Sequence, residues 1–226
     1  MSLTLAASAS FRPGQFMNLG LHLSGGFASR SYSLVSAPGE PLEVLLSRVG
    51  EGVLSPALFE LTEGAAITLD PKPQGFFSFD YVPSHEQLWL LATGTGLAPF
   101  ISMLRSGEAF ARARRVVLAH GARGPEELAY RSELEALARD RPGAFTYLPV
   151  LSRRPDVGLL SGRITQALAS GQLEARAAVP IAAETAHFML CGNPAMIEEV
   201  TAQLQARGLR RHRQRTPGHI TTEKYW

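Results

Sequence analysis

Leu88-Trp-Leu-Leu-Ala-Thr-Gly-Thr-Gly-Leu-Ala-Pro-Phe-Ile-Ser-Met-Leu104 is the stretch around which the rest of the chain is organised. Residues 88–92 read as a buried strand, Thr93-Gly-Thr-Gly96 as a tight turn, and Leu97 onward as the opening of a helix. Glycines let a backbone approach an anion closely, and a following helix N-terminus offers N–H groups and a positive dipole end, so the geometry suits a phosphate. The stretch carries no charge, but two glycines, Pro99 and a length short of ~20 residues argue against a membrane span. Many glycine-rich strand-to-helix turns only connect elements, so this one takes its meaning from its neighbours.

Downstream, strands expected at 88–92, 115–120, 145–151 and 187–191 alternate with helical segments near 98–113, 126–139, 163–170 and 194–207. Such alternation gives a parallel sheet covered on both faces, with ligands bound beyond the carboxyl ends of the strands. The last helix is the best marked: Asn193 can cap it, Pro194 takes its first position, Met196, Ile197, Val200 and Leu204 form an apolar stripe, and Gly208 ends it. The expected strand ends lead into Thr93 to Gly96, Gly121-Ala-Arg123, Ser152-Arg-Arg154 and Cys191-Gly-Asn-Pro194, with Ser161-Gly-Arg163 at a nearby turn. A single loop arginine is ordinarily just solvated. Three converging on one rim match a ligand with an extra phosphate, such as the 2'-phosphate of NADP, which needs fork-like donors.

Upstream, residues 15–23 alternate apolar Met17, Leu19, Leu21 and Leu23 with Asn18, Gly20 and His22, the period of a half-buried strand. Ser24-Gly-Gly26 then turns the chain, and further strands are expected at 31–35, 42–49, 66–69 and 76–79. Short strands at this spacing suggest a small antiparallel barrel or sandwich. Ser55-Pro-Ala-Leu-Phe-Glu-Leu61 reads as one short helix with Ser55 as its cap and Pro56 at its first position. Arg30-Ser-Tyr-Ser33 sets a cation, an aromatic ring and two hydroxyls on one strand, and Gly52-Val-Leu-Ser55 runs from a glycine turn into a helix N-terminus. Packing explains a strand tyrosine and capping explains such a turn. Together with the turn at Gly94 they suggest two anion sites and an aromatic platform, as a dinucleotide requires.

The 226 residues suffice for two domains of ~100 to 130, and the boundary is placed so that 1–83 and 84–226 are the two. A net charge of +2 creates no field that demands nucleic acid or a membrane. Lys72 and Lys224 are the only lysines, so the basic side chains are almost all arginine. A single cysteine, Cys191, excludes an internal disulfide and any four-cysteine cluster within one chain, and the six histidines show no metal-ligand spacing, so no metal is expected. The N-terminus has neither the basic start nor the apolar core of a signal peptide, which makes the cytoplasm the expected compartment.

Arg30-Ser-Tyr-Ser33, Thr93-Gly-Thr-Gly-Leu-Ala-Pro99, Cys191-Gly-Asn-Pro-Ala-Met196 and the ending Gly218-His-Ile-Thr-Thr-Glu-Lys-Tyr-Trp226 together resemble the bacterial ferredoxin-NADP+ reductase family, over residues 11–226. The resemblance implies an N-terminal FAD-binding antiparallel barrel, a C-terminal NADP-binding parallel sheet, and hydride transfer in the cleft between them. It implies that Arg30 holds the FAD pyrophosphate, with Ser31 adjoining, that Tyr32 stacks on the isoalloxazine, and that the Ser33 hydroxyl lies by flavin N5. Gly52, Val53, Leu54 and Ser55 match the second flavin-phosphate loop, and Thr95 the flavin contact from the other domain. Ala122, Arg123, Ser152, Arg153 and Arg163 match the positions that take the NADP adenosine phosphates, Cys191 the cysteine beside the nicotinamide, and Gly192, Asn193, Pro194 and Ala195 the adjoining loop. Tyr225 and Trp226 match the C-terminal aromatics that cover the flavin, and Glu223 takes the acidic position before them. Ser33, Cys191, Glu223 and Tyr225 are thereby the implied catalytic set, FAD and NADP(H) the cofactors, and a ferredoxin or flavodoxin the one-electron partner.

The family pattern has a further barrel strand before Pro13-Gly-Gln-Phe16, where this chain leaves room for one short strand. An incomplete barrel with an exposed edge is therefore expected, in a monomer or a weak dimer paired through that edge. Arg207-Gly-Leu-Arg-Arg-His-Arg-Gln-Arg215 reads first as a solvated turn and second as a docking patch for an acidic carrier. Two other functions compete: an NADH-preferring flavin or oxygenase-component reductase, against which the three arginines argue, and a truncated, flavin-poor nucleotide-binding paralogue with no catalytic role.

Overall fold

A computed structural model describes residues 1–213 and 215–224. The chain divides into two compact units, one of Met1–Ser78 with Ala98–Ser106, the other of Phe79–Leu97 with Gly107–Trp226.

The first unit contains strands β1 (Ser2–Thr4), β2 (Phe16–Leu23), β3 (Gly26–Ser33), β4 (Glu43–Leu45) and β5 (Thr68–Leu69), and helix α1 (Leu54–Phe59). β2 and β3 form the hairpin that the Ser24-Gly-Gly26 turn predicts, with Leu23 opposite Gly26 and Phe16 opposite Ser33. β5 pairs with the other side of β2. β1 pairs antiparallel with β4, and the backbone bonds extend the contact from the Met1 carbonyl, bonded by Leu46 N–H at 2.7 Å, to the Ala7 carbonyl, bonded by Leu42 N–H at 2.9 Å. The two sheets join where Leu34 bridges Val44. Met17, Leu19 and Leu21 point with Leu34, Leu42, Val44, Leu46, Leu54 and Leu58 into one core, which makes this an antiparallel barrel. The short strand that the sequence leaves room for is thus β1. Among the described residues, β1 pairs only with β4 and β5 only with β2.

Three local expectations are corrected. The strand expected over 42–49 stops at Leu45, because residues 47–50 are exposed and without a strand partner. The one expected at 76–79 gives way to a 3-10 turn at Phe79–Tyr81, ladder contact being confined to a bridge from Phe16 to Gln74. Ser55 is not a cap: α1 starts one residue before it, and the Ser55 hydroxyl accepts the Val49 N–H at 2.9 Å, closing the loop behind the helix.

Helix α2 (Ala98–Arg105) belongs to this first unit. Its sequence offers no polar face before Arg105, and every residue from Ala98 to Leu104 is buried. Ser102 donates to the Ser36 carbonyl at 2.7 Å, Arg105 pairs with Glu43 at 2.6 Å, and Phe100 lies against Phe77 with ring centroids 5.8 Å apart.

The second unit is a six-stranded parallel sheet of β6 (Gln87–Thr93), β7 (Arg115–Ala122), β8 (Phe145–Leu151), β9 (Leu160–Ser161), β10 (Ala186–Gly192) and β11 (Ile220–Lys224), in the order β11-β10-β6-β7-β8-β9. Its helices are α3 (Glu108–Arg112), α4 (Arg131–Asp140), α5 (Ile164–Ala169), α6 (Gln172–Ala177) and α7 (Pro194–Ala206). β6 and β10 are buried almost throughout, as parallel strands covered on both faces must be, and Trp89 stacks on Phe188 in the core they share. The helix expected over 98–113 breaks at Gly107, whose φ of 78° ends α2 and starts α3. That expected over 126–139 starts only at Arg131, since Tyr130 at φ 56° is left-handed. The chain runs outward from β6 to β9 and then returns to lay β10 beside β6. The strand order therefore reverses between β6 and β10, and ligands bind open sheets at such a reversal, beyond the carboxyl ends of the strands.

Candidate active site

Both motifs that frame the sequence reading fall at this reversal. β6 ends at Thr93 and leads into a 3-10 turn at Gly94–Leu97, while β10 ends at Gly192 and leads through Asn193 into α7. Thr93 Oγ1 accepts the Asn193 N–H at 2.9 Å. A Cβ at Gly96 would stand 2.4 Å from the Cys191 carbonyl oxygen, and one at Gly192, whose φ is 129°, would stand 2.4 Å from Thr93 Oγ1. Gly96, expected to admit an anion, thus first admits the neighbouring backbone, as Gly192 does from the other side, so that the two strand ends can touch. Asn193 Oδ1 accepts the N–H groups of Ala195 and Met196 at 2.8 and 3.3 Å, with Pro194 at the first helical position and Gly208 left-handed at the far end, as the sequence predicts.

Cys191 is fully buried and stands in register with Ala92 on one side and Glu223 on the other. Glu223 Oε2 is buried without a hydrogen-bond partner among the described residues, and burial raises its carboxyl to about 7. This group can hold a proton at neutral pH. Tyr225 and Trp226 lie outside the described residues.

The sheet order places the ends of β7, β8 and β9 side by side. The Ala122 carbonyl accepts from the Ser152 N–H at 2.9 Å and from its hydroxyl at 3.2 Å; the Arg123 carbonyl accepts from the N–H groups of Arg153 and Arg154 at 3.0 and 2.9 Å. Arg163 follows β9 after Gly162 and donates its own N–H to Gln166 Oε1 at 2.9 Å. Arg123, Arg153 and Arg163 are all exposed, and among the described residues none makes an ion pair. Nearby Arg154 pairs with Glu126, and Arg131 with Glu135 and Asp156. Three guanidiniums without carboxylates on adjoining strand ends fit a phosphate-bearing ligand.

In the first unit, Arg30 and Tyr32 stand opposite Leu19 and Met17 on β2. Arg30 is exposed and donates to the Ser29 carbonyl at 2.7 Å. Tyr32 is half-buried; burial pushes its hydroxyl up, and the Arg30 charge opposes that shift. Ser31 lies on the other face, donating to Asn18 Oδ1 at 2.7 Å, and Ser33 is buried. In the loop before α1, Gly52 N–H bonds the Val49 carbonyl at 3.0 Å, Val53 is exposed, and Leu54 and Ser55 are buried. A half-buried ring beside an exposed cation, on a rigid hairpin, fits a flavin with its phosphates.

Two groupings escape the sequence reading. His85, His187, His212 and His219 gather around the amino end of β10, with His85 and His187 stacked at 4.9 Å. Among the described residues they form no group that could hold a metal. The other is the Arg131–Asp156 pair. In the basic run Arg213 bridges Thr216, Arg207 pairs with Glu174 at 2.8 Å, Arg210, Arg211, Arg213 and Arg215 are exposed, and Gln214 lies outside the described residues. Arg211 bridges Ile220 at the start of β11, the end remote from Glu223.

The family model for the oxidoreductase NAD-binding domain matches residues 90–202. The flavodoxin/ferredoxin–NADP reductase of Escherichia coli K12 is 40% identical over 100% of this chain and 92% of its own length. Ferredoxin–NADP reductase A of Sorangium cellulosum is 37% identical over 99% of this chain and 83% of its own. Among solved structures, a ferredoxin NADP+ reductase from Neisseria gonorrhoeae with bound FAD and NADP superposes with a TM-score of 0.88 at 34% identity, covering 99% of this chain and 90% of that one. With its switch-point motifs, its rim of arginines and this likeness along its whole length, the chain belongs to the flavodoxin/ferredoxin–NADP reductase family.

Proposed function

We propose that the protein is an FAD-dependent reductase that takes hydride from NADPH and passes electrons singly to a ferredoxin or flavodoxin. The observation that carries this reading is the set of three arginines that make no ion pair among the described residues, on the adjoining ends of β7, β8 and β9, beside the switch point. The names of the relatives support the choice of carrier.

Residues 1–83 act as the FAD domain and 84–226 as the NADP domain. Arg30 neutralises the FAD pyrophosphate, Tyr32 supplies an aromatic platform, and Ser31, Ser33, the loop Gly52, Val53, Leu54 and Ser55, and Thr95 complete the set, with Tyr225 and Trp226 as the covering aromatics. FAD, when bound, supplies the conversion between two-electron and one-electron transfer. Arg123, Arg153 and Arg163, with Ala122 and Ser152, hold the adenosine phosphates by charge-assisted forks. Cys191 and Gly192 to Ala195 position the nicotinamide end: the Thr93–Asn193 bond and the two tight glycines fix that backbone. Glu223 retains a proton at its carboxyl near neutrality and can hand it on. The protein works in the cytoplasm, as a monomer or weak dimer, and the exposed arginines of the turn before β11 favour an acidic carrier.

The purified protein should show flavin bands that NADPH bleaches. Arg123→Ala, Arg153→Ala and Arg163→Ala should each raise KM for NADPH by about tenfold while leaving KM for NADH in place, the loss of one charged fork to a phosphate. A wild-type preference for NADPH over NADH near one would shift the reading to an NADH-using reductase, and a colourless protein would sink it.

A further inference from the structure

The arginines at the rim of the second unit fall into two sets. Arg123, Arg153 and Arg163 make no ion pair among the described residues, while Arg131, Arg154 and Arg176 are all committed to holding the loop that connects Arg153 to Arg163. Arg131, the first residue of α4, donates through Nε to Glu135 Oε1 at 2.7 Å, one turn along, and through Nη1 to Asp156 Oδ2 at 3.2 Å. Asp156 is the centre of that loop's turn: its other carboxylate oxygen accepts the Val157 N–H at 2.9 Å, and its carbonyl accepts the Leu159 N–H at 3.2 Å. Arg176 of α6 donates to the Gly158 carbonyl, and Arg154 pairs with Glu126. The loop tip has no apolar anchor of its own, since Val157 is 98% exposed. Leu160 of β9 anchors the far end of the loop in the core, but a tip without buried apolar contacts opens easily, so the shape of the tip depends on these polar pins.

We propose that Arg131 is a positioning residue for NADPH specificity: by its ion pair with Asp156 it fixes the loop between Arg153 and Arg163, and with it the spacing of the guanidiniums that take the adenosine 2'-phosphate. This rests on the reading of those arginines as the NADPH phosphate site. The pair does two things at once. It holds the turn from outside, and it compensates a carboxylate that would otherwise repel a phosphate three residues from Arg153. Neither effect touches the parts that NADPH and NADH share.

The test measures binding of adenosine 2',5'-bisphosphate and of 5'-AMP by calorimetry to the full-length protein and to Arg131→Gln, Asp156→Asn and the double variant, with KM for NADPH and NADH read alongside. Both residues are partly exposed, so the variants should fold, which a thermal scan checks. Arg131→Gln should weaken the bisphosphate by up to about fivefold, the scale of an exposed ion pair, leave 5'-AMP and kcat unchanged, and raise KM for NADPH alone. The double variant should bind the bisphosphate no worse than Arg131→Gln, since the two side chains act as one pair. Equal losses for both nucleotides, additive losses, or no loss would overturn the inference. A wild-type protein that binds both nucleotides equally would instead sink the underlying phosphate-site reading.

Discussion

At the carboxyl end of β10 and β11, Glu223 is partly buried, its Oε2 without a hydrogen-bond partner among the described residues and its carboxyl raised to about 7, close to strand ends that touch only because Gly96 and Gly192 lack side chains. At the amino end of the same two strands, His187 is fully buried, stacked on His85 at 4.9 Å and edge-on to His212 at 5.9 Å, and bonded through Nε2 to Thr221 Oγ1 at 2.9 Å. Burial, then the neighbouring histidines, holds His187 down to about 3. One end of the sheet holds an acid near neutrality and carries Arg123, Arg153 and Arg163 without an ion pair among the described residues, while the other packs imidazole rings against one another. A shifted group marks a ligand site only in company that a ligand would complete, and here only the carboxyl end has that company.

The largest effect should come from breaking the carboxyl end sterically. Gly192→Ala forces a side chain into a φ of 129° and to 2.4 Å from Thr93 Oγ1, with the Thr93 carbonyl at 2.6 Å and unable to swing away. A loss of at least about 4 kcal/mol is expected, enough to leave little folded protein. His219→Ala, at the amino end where the ring is only half-buried, should cost far less. Urea unfolding of the two variants compares the ends directly; equal midpoints would mean that the strand ends do not depend on the glycine contact.

Acid should then attack the amino end selectively. His187 has a folded value of about 3 against an ordinary 6.5, so the unfolded chain takes the proton first. The resulting stability is complete above pH 6.5 and drains away as the pH falls from 6.5 toward 3; by pH 4.5 the loss is on the order of 2 kcal/mol. The charged and titratable groups around the ring are His85, His212 and His219, and around His219 Arg210 and Glu184. His187→Gln keeps a nitrogen for Thr221 but cannot titrate, so its stability should change less between pH 7 and 4.5. Parallel curves for the two proteins would assign the acid loss elsewhere.

The contrast between these ends was only half legible in the sequence. β6 and β10 were readable because unbroken apolar runs declare fully buried parallel strands, and α7 because Asn193, Pro194 and Gly208 mark its ends chemically. Arg123 and Arg153 were readable because each follows the end of an expected strand, where ligands of open sheets bind, and Arg163 because it stands at a turn near them. β9 was missed: two residues, held by pairing with Val150 and Leu151 rather than by any pattern of their own, leave no period to detect. Ser55 was misread since Ser-Pro looks like a helix start, while the folded loop uses that hydroxyl to reach back to Val49. The histidines meet because β10 and the segments before β6 and β11 converge on one end of the sheet, and Arg131 meets Asp156 because α4 leads into β8; neither contact has a spacing that sequence can express.

The smallest and sharpest test returns to Glu223, whose linkage runs opposite to that of His187. Its folded value of about 7 lies above the ordinary 4.5, so the folded protein takes the proton first. That contribution is fully present below pH 4.5 and is lost as the pH rises through about 7, by about 1 to 2 kcal/mol once partial exposure is allowed for. Glu223→Gln, neutral throughout, should therefore be more stable than wild type at pH 8.5 and nearly equal to it at pH 5, where both side chains are uncharged. The same substitution removes the proton reserve, so the wild-type rate of NADPH oxidation should follow an apparent pKa near 7 and the variant should be slower and lose that inflection. A variant that matches wild-type stability at pH 8.5 would show that Glu223 ionises normally, and the carboxyl end of the sheet would then keep its arginines but lose its acid.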